Sequence, residues 1–259
     1  MKPILASSIL GNHPKCTLLI LHGLFASRKN YLSTAKFLSQ TCTVHALDLR
    51  NHGESFHGRH SIQEMVEDVK IYCDYHNIKN PILLGHSMGG MVAMAFALRY
   101  CEKIHAIIVA DIAPKHYSFP YEKELQALEQ DFSSCTNRKE VEEKMKPFIP
   151  DASLRQFLMM NIQRNQQGKF YNVLDTKEIR HWIEHKEELE YKGQCNKPAL
   201  FIRATLSPFT NKSDEAKIKE LFPNAQIQMI EADHWLHFSA ADKFNTIVLN
   251  FLQSQVLHE

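Results

Sequence analysis

Ser87 is the residue whose surroundings point most directly to nucleophilic chemistry. It lies in the pattern Gly85-x-Ser87-x-Gly89, between an apolar run at 82–84 and an apolar stretch at 91–98. A strand, a sharp turn and a helix in this order are typical of a nucleophile elbow, in which a strained turn exposes the serine hydroxyl. The glycines two residues before and after leave room for that turn. The pattern predicts that Ser87 attacks a carbonyl carbon.

A carbonyl under attack develops negative charge on its oxygen, and two segments could supply N–H groups to that oxygen. His22-Gly23-Leu24 follows the apolar run 17–21, and Met88 begins the helix after the elbow. The N–H groups of Leu24 and Met88 are the predicted oxyanion donors. His22 is expected to be a structural hydrogen-bonding residue rather than a catalyst.

A serine hydroxyl needs a base, and the base needs a carboxylate to orient it. Asp111 follows the apolar run 104–110, and His234 lies in a loop after the last predicted strand. Ser87, Asp111 and His234 therefore occur in the order of a serine, acid and histidine triad on an α/β scaffold. Two alternatives stay open, because Asp111 could merely cap a turn and His237 could be the base instead.

The elements that must position these residues alternate between strand and helix. Such alternation predicts an α/β fold with a mostly parallel central sheet flanked by helices. No internal repeat interrupts it. The predicted strands are 17–21, 43–47, 81–84, 104–110, 198–204 and 226–230, and the predicted helices are 30–40, 61–75, 91–100, 213–222 and 239–254.

The stretch from 115 to 196 breaks this alternation. It shows no convincing strand, and it carries amphipathic patterns that predict helices at 122–132, 138–146 and 154–164. We interpret it as a helical cap inserted before the last two strands. The predicted domains are thus a core formed by 1–114 and 197–259 and a cap formed by 115–196.

Apolar residues of the cap are candidates for the wall of an acyl pocket. Phe157 and Met160 are the two we single out. Each such side chain is by itself more often part of a hydrophobic core than of a pocket wall. The other candidates of this kind are Leu158, Met159, Phe170, Tyr171 and Trp182.

With these motifs in place, the chain resembles the α/β-hydrolases of the YbfF-type esterase group. The resemblance implies hydrolysis of carboxylic esters with neither a metal nor an organic cofactor. It implies that Asp111 is the acid, that Ser207 is a fourth hydrogen-bonding member beside the histidine, and that Phe25 and Trp235 lie near the substrate. The stretches that carry it are 22–25, 48–55, 85–90, 111–114 with Tyr117, 207–208 and 234–235.

Asp214 and Asp233 are two further acidic residues that bear on the choice of the acid and on the loop of His234. Many α/β-hydrolases place the acid after the next strand, where this chain has Ser207 and, inside a predicted helix, the weaker candidate Asp214. Asp233 stands where members of the group usually have glycine. It could tighten the loop or act locally on His234, and both interpretations stay open.

Composition limits the remaining choices. The 259 residues are 44% hydrophobic and 23% charged with a formal net charge of +1, which is ordinary for a globular protein and gives no reason to expect a nucleic-acid partner. The six cysteines show no metal-ligand spacing and are expected to be reduced thiols. With no signal-peptide pattern and no apolar stretch of membrane-spanning length, a cytoplasmic location is expected. The oligomeric state cannot be deduced.

These features predict a serine esterase that hydrolyses small carboxylic esters through an acyl-enzyme. The same triad could instead cleave thioesters or transfer acyl groups to other acceptors. A non-catalytic binding module on the same fold is a third alternative, but it would be expected to lack a triad member, and none is missing.

Overall fold

The computed structural model describes residues 3–118, 120–185 and 189–256, in which seven strands form one sheet and two form a hairpin. The sheet order is β1-β3-β2-β4-β5-β8-β9, and every neighbouring pair is parallel except β1 with β3. The α/β fold with a mostly parallel sheet is therefore confirmed. The strands are β1 (Ser7–Leu10), β2 (Thr17–Leu21), β3 (Thr43–Leu47), β4 (Ile82–His86), β5 (Ala106–Ala110), β6 (Ile162–Arg164), β7 (Phe170–Asn172), β8 (Ala199–Ala204) and β9 (Ala225–Ile230).

Helices cover both faces of this sheet. None of the helices in the described ranges is long and apolar enough to cross a membrane. The helices are α1 (Leu32–Leu38), α2 (Ile62–Tyr75), α3 (Met88–Arg99), α4 (Glu122–Leu128), α5 (Arg138–Met145), α6 (Ala152–Met159), α7 (Thr176–His185), α8 (Asp214–Leu221), α9 (Leu236–Ser239) and α10 (Ala241–Val256).

The central strands are apolar throughout because successive side chains enter two different cores. In β2, Leu19 and Leu21 pack with residues of α2 and α3, whereas Leu18 and Ile20 pack with residues of α1 and α10. A strand alternates its side chains between the two faces of the sheet, so a strand covered on both faces needs apolar residues at every position. This explains the unbroken apolar runs of the sequence.

Parallel strands bring the residues that follow them to one edge of the sheet. Ser87 follows β4, Asp111 follows β5, and the loop with His234 follows β9. The Ser87 N–H donates to the carbonyl of Ala110 at 3.1 Å, and the Asp111 N–H donates to the carbonyl of Ile202 at 2.8 Å. The sheet therefore fixes both backbones at this edge.

Some predicted elements differ from the observed ones. The helix expected to begin at Asn30 is preceded by a 3₁₀ turn, Arg28–Tyr31, and Ser27 rather than Asn30 caps that turn. The edge strand β1 was not predicted, because it is short and only partly buried.

The sequence predicts only helices in the region between β5 and β8, but the structure also has a hairpin there. The helix predicted at 154–164 ends at Met159, and Ile162–Arg164 pairs with Phe170–Asn172 as a hairpin. The Asn165 side chain accepts hydrogen bonds from N–H groups in the turn. Three-residue strands are too short for their alternation to be read from the sequence.

The expectation that all six cysteines are free thiols is wrong for four of them. Cys16 is bonded to Cys42 and Cys101 to Cys195, with Cα atoms 4.7 Å and 5.5 Å apart. The partners are 26 and 94 residues apart in sequence, so their proximity arises from the tertiary structure. These bonds remove reduced cysteines as a reason to expect a cytoplasmic location, because disulfides persist mainly in oxidising compartments.

Candidate active site

The turn at Ser87 has the strained backbone expected of an elbow. Ser87 has φ 52° and ψ −119°, between the end of β4 and the start of α3. A Cβ atom at Gly85 would strike the carbonyl of Gly89, and one at Gly89 would strike the carbonyl of Leu21. These positions therefore exclude side chains, and the tight packing holds the serine in its conformation.

Ser87, His234 and Asp111 form a continuous hydrogen-bonded chain. The Ser87 Oγ lies 3.0 Å from His234 Nε2, and His234 Nδ1 lies 2.8 Å from Asp111 Oδ2. Because a carboxylate can only accept, Nδ1 carries the ring proton, and Nε2 of the neutral ring is free to accept the serine proton. The arrangement suits a histidine acting as general base on the serine.

Asp111 is fully buried, and its second oxygen has its own donors. Oδ1 accepts from the Thr210 hydroxyl at 2.8 Å and from the Ala204 N–H at 3.2 Å. The carboxylate thus has three donors, which is how a buried charge is stabilised. Thr210 is not among the residues predicted for the site, since nothing in the sequence of the loop after β8 singles out its hydroxyl.

Ser207 does not take the position that the resemblance implied. Its Oγ accepts from the Phe209 N–H at 3.3 Å, and no bond joins it to His234 among the described residues. Phe209 instead stacks on the His234 ring, with centroids 4.0 Å apart. The hydroxyl next to the acid is that of Thr210, three positions later, because the intervening turn points Ser207 toward the cavity described below.

The other acidic candidates have local partners. Asp214 forms an ion pair with Lys115 at 2.8 Å, away from His234. Asp233 accepts from the Trp235 N–H at 2.9 Å and from the Ser239 hydroxyl at 2.8 Å. Of the two interpretations of Asp233, the contacts favour loop tightening.

His237, the alternative base, contacts Tyr31 rather than Ser87. Its ring stacks on Tyr31 with centroids 4.2 Å apart, and its Nδ1 lies 3.3 Å from the Tyr31 hydroxyl. Burial lowers the pKa of His237 from 6.5 to about 3. The bond of Ser87 is with His234.

His86 is a further functional candidate that sequence reasoning did not single out. Its Nε2 lies 2.8 Å from the carbonyl oxygen of His234, so Nε2 donates and fixes the backbone of the His234 loop. Burial, assisted by the neighbouring His234 and His237, lowers the pKa of His86 well below its usual value. Its place between Gly85 and Ser87 in the sequence was the feature that could have marked it as a candidate.

The predicted oxyanion donors lie at the start of α3 and beside the Ser87 turn. Met88 is the first residue of α3, so its N–H has no acceptor within the helix. Leu24 lines the cavity next to Ser87, while the N–H of Phe25 donates to His52 Nε2 at 3.3 Å. Phe25 has φ 60°, a turned backbone held by this bond.

His22 has the structural contacts that were expected of it. Its Nδ1 lies 2.8 Å from the carbonyl of Gly23, and its Nε2 accepts from the Leu49 N–H at 3.0 Å. Burial lowers the pKa of His22 from 6.5 to about 4. The neutral ring thus links the segment after β2 to the segment after β3.

A cavity of about 330 Å³ opens onto Ser87 and His234. Four of the residues predicted to lie near the substrate line it, namely Phe25, Ser207, Trp235 and Phe157. The Phe157 and Trp235 rings lie 5.9 Å apart, so α6 and the His234 loop meet there.

Met160 does not lie in this wall and is a correction to the predicted pocket. Because α6 ends at Met159, Met160 turns away, and its sulfur lies 3.2 Å from Asn30 Nδ2. The other apolar candidates of the region between β5 and β8 do not line the cavity. Leu158, Met159 and Phe170 pack in a cluster formed mostly by α4 to α7, and Trp182 packs in the cluster that the sheet forms with α2 and α3. Tyr171 is exposed.

No group of three or more His, Cys, Asp or Glu side chains in the described ranges is arranged to hold a metal ion.

Known proteins resemble this chain over nearly its whole length. A solved structure described as a marine microorganism esterase has a TM-score of 0.92 and 34% identity, covering 97% of this chain and 100% of its own. The sn-1-specific diacylglycerol lipase ABHD11 of Danio rerio is 32% identical over 94% of this chain and 80% of its own. Ethanol acetyltransferase 1 of Cyberlindnera fabianii is 27% identical over 92% of this chain and 80% of its own.

The family model described as alpha/beta hydrolase fold matches residues 17–241. This range runs from β2 through the loop that carries His234 and includes the whole region between β5 and β8. The match agrees with the observed sheet and confirms the superfamily predicted from the motifs. The chain belongs to the alpha/beta hydrolase family.

Proposed function

We propose that this protein is a serine esterase that hydrolyses small carboxylic esters through an acyl-enzyme. The observation that carries the proposal is the chain of hydrogen bonds from Ser87 Oγ to His234 Nε2, 3.0 Å, and from His234 Nδ1 to Asp111 Oδ2, 2.8 Å. Ser87 and His234 of this chain line a cavity of about 330 Å³.

In the acylation step, Ser87 Oγ attacks the ester carbonyl carbon while its proton passes to His234 Nε2. The carbonyl oxygen becomes an oxyanion, which the N–H groups of Leu24 and Met88 stabilise. The tetrahedral intermediate then collapses. The bond to the alcohol oxygen breaks, that oxygen takes the proton from His234, and the acyl group stays on Ser87.

Water completes the cycle by the same path. His234 takes a proton from the water as it attacks the acyl carbon, and a second oxyanion forms in the same place. Collapse releases the carboxylic acid and returns the proton to Ser87. Asp111 remains a carboxylate throughout, holding the ring tautomer and stabilising the imidazolium.

The domain division follows from this proposal. Residues 1–114 and 197–259 would form the hydrolase core and 115–196 the cap over its edge. A hydrophobic cluster made mostly of residues from α4 to α7, with Phe25 of the core, supports this division. Membership of the YbfF-type esterase group is the finer part of the proposal.

The test is hydrolysis of p-nitrophenyl acetate and longer p-nitrophenyl esters by the wild type and by Ser87→Ala. We expect Ser87→Ala to lower kcat by roughly 10³-fold or more. The matched control is Ser254→Ala, at an exposed position of α10, which should retain full activity. A fluorophosphonate should label Ser87 in the wild type. An unlabelled Ser87 in folded protein would contradict the mechanism.

Acyl transfer is a second candidate, favoured by the likeness to ethanol acetyltransferase 1. The acyl-enzyme is the same, and only the acceptor differs. Measuring ethyl acetate and acetate released from p-nitrophenyl acetate in the presence of ethanol separates the two functions. A thioester of the same acyl group tests the thioesterase alternative.

A further inference from the structure

Glu124 is a carboxylate in the wall of the cavity that holds Ser87 and His234. It lies in α4, three residues after Tyr121, and residues three apart share a helix face. Tyr121 packs edge-on against Phe25 with ring centroids 5.5 Å apart. This face of α4 therefore turns toward the segment that supplies the Leu24 N–H.

The neighbouring acids of this helix are neutralised, whereas Glu124 is not. Glu122 and Glu129 both pair with Arg180, at 2.6 Å and 2.8 Å. Among the described residues Glu124 forms no ion pair, and burial outweighs the attraction of the adjacent Lys123. Partial burial raises the pKa of Glu124, which reflects the cost of holding this charge away from water.

A partly buried carboxylate that forms no ion pair gains most from a ligand that supplies a positive charge. The surrounding wall is largely aromatic and aliphatic, formed by Leu154, Phe157 and Trp235 among others. Such a wall strengthens the attraction, because it lowers the local dielectric constant. An anionic group in the same place would be repelled.

We propose that Glu124 is a specificity-determining residue that binds a cationic ammonium group of the substrate and disfavours anionic esters. This inference rests on the proposed esterase function and names its substrate class. The experiment has one arm for an ammonium group on the alcohol part of the ester and one for an ammonium group on the acyl part.

The experiment compares matched esters that differ in a single charged centre. On the alcohol side, acetylcholine is paired with 3,3-dimethylbutyl acetate, in which carbon replaces the nitrogen. On the acyl side, ethyl 4-(trimethylammonio)butanoate is paired with ethyl 5,5-dimethylhexanoate. The ratio of kcat/KM for the cationic ester to that for its neutral partner is measured for the wild type, Glu124→Gln and Glu122→Gln.

We expect Glu124→Gln to lower this ratio roughly 10-fold in one of the two arms, since a charge-assisted contact is lost. Any change in kcat/KM for the neutral esters should be smaller than the change for their cationic partners. Glu122→Gln is the matched control, because its carboxylate lies in an exposed ion pair outside the cavity, and it should keep the wild-type ratio.

Unchanged ratios in both arms for Glu124→Gln would overturn the inference, and so would an equal loss on cationic and neutral esters. Failure of the esterase function gives a different result, namely no Ser87-dependent hydrolysis of any ester by the wild type. In that case an NMR titration with choline and 3,3-dimethylbutanol decides the matter without turnover. Equal affinities in the wild type would overturn the inference there.

Discussion

The sheet edge and the α4 to α7 region face each other across the cavity, but different kinds of contact hold them. At the sheet edge, strained backbones and hydrogen bonds fix single atoms: Ser87 and Asp111 both have positive φ, and Asp111 accepts three hydrogen bonds. In the α4 to α7 region, a separate apolar cluster supports the side chains that reach the cavity, including Phe157.

Because of this difference, substitutions in the two regions should affect catalysis differently. A hydrogen-bonded proton path fails when one atom is displaced, so changes at the sheet edge should be large and should affect every ester. An apolar wall adapts to what it holds, so the effects of substitutions in the α4 to α7 region should be small and graded by the size or charge of the substrate. The predictions below test this contrast.

The largest effect is expected for Asp111→Asn. An amide can present the wrong group to His234 Nδ1 and favour the wrong tautomer, so kcat should fall by roughly 10⁴-fold for all esters alike. Asp214→Asn is the control, because Asp214 pairs with Lys115 instead, and it should keep its activity. Steady-state kinetics on short and long esters measures both. If Asp214→Asn lost its activity and Asp111→Asn kept it, Asp214 would be the acid.

Acid should next destabilise the sheet edge through its buried histidines. Burial lowers the pKa of His22 to about 4 and those of His52 and His237 to about 3, against 6.5 in an unfolded chain. Between these values the unfolded chain binds more protons, so the free energy of unfolding should fall as the pH drops from 6.5. Each group contributes at most about 1.4 kcal/mol per pH unit.

Urea unfolding at pH 6.5, 6.0, 5.5 and 5.0 measures this dependence, above the range in which most carboxyls titrate. His237→Gln should reduce the slope of the free energy of unfolding against pH by the contribution of one histidine. A slope that stays the same in this variant would mean that His237 is not neutral and buried in the native protein.

Thr210→Val should have a smaller effect on the sheet edge. It removes the hydroxyl donor to Asp111 Oδ1. If the loss of this hydrogen bond to a charged group misplaces the acid, the rate should fall by about 10-fold. We expect kcat to fall with KM unchanged, equally for every ester. Thr205→Val, at an exposed position, is the control. An effect confined to KM would instead place Thr210 in substrate binding.

Phe157→Ala should produce the smallest and most selective effect. It enlarges the cavity wall beside Trp235, so kcat/KM for esters with long acyl chains should change by less than about 10-fold and acetate should be almost unaffected. Tyr171→Ala, at an exposed position, serves as the control. If Phe157→Ala lowered the rate on all esters equally, the contrast between the two regions would not hold.

The sequence by itself determined the features that are local or periodic. The spacing of Gly85, Ser87 and Gly89 specifies a turn whose strain needs glycine, and the apolar runs specify strands covered on both faces, hence the sheet and its functional edge. The order of Ser87, Asp111 and His234 made them candidates, because parallel strands end at the same edge.

Only the tertiary structure decided which distant groups meet there. Thr210 rather than Ser207 donates to Asp111, Met160 turns out of the cavity, and four cysteines form bonds, although no local pattern marks these outcomes. Glu124 likewise resembles Glu122 in sequence, and only the packing of α4 leaves one in the cavity and pairs the other with Arg180. Contacts between remote segments depend on how loops and helices close over the sheet, which composition and periodicity do not encode.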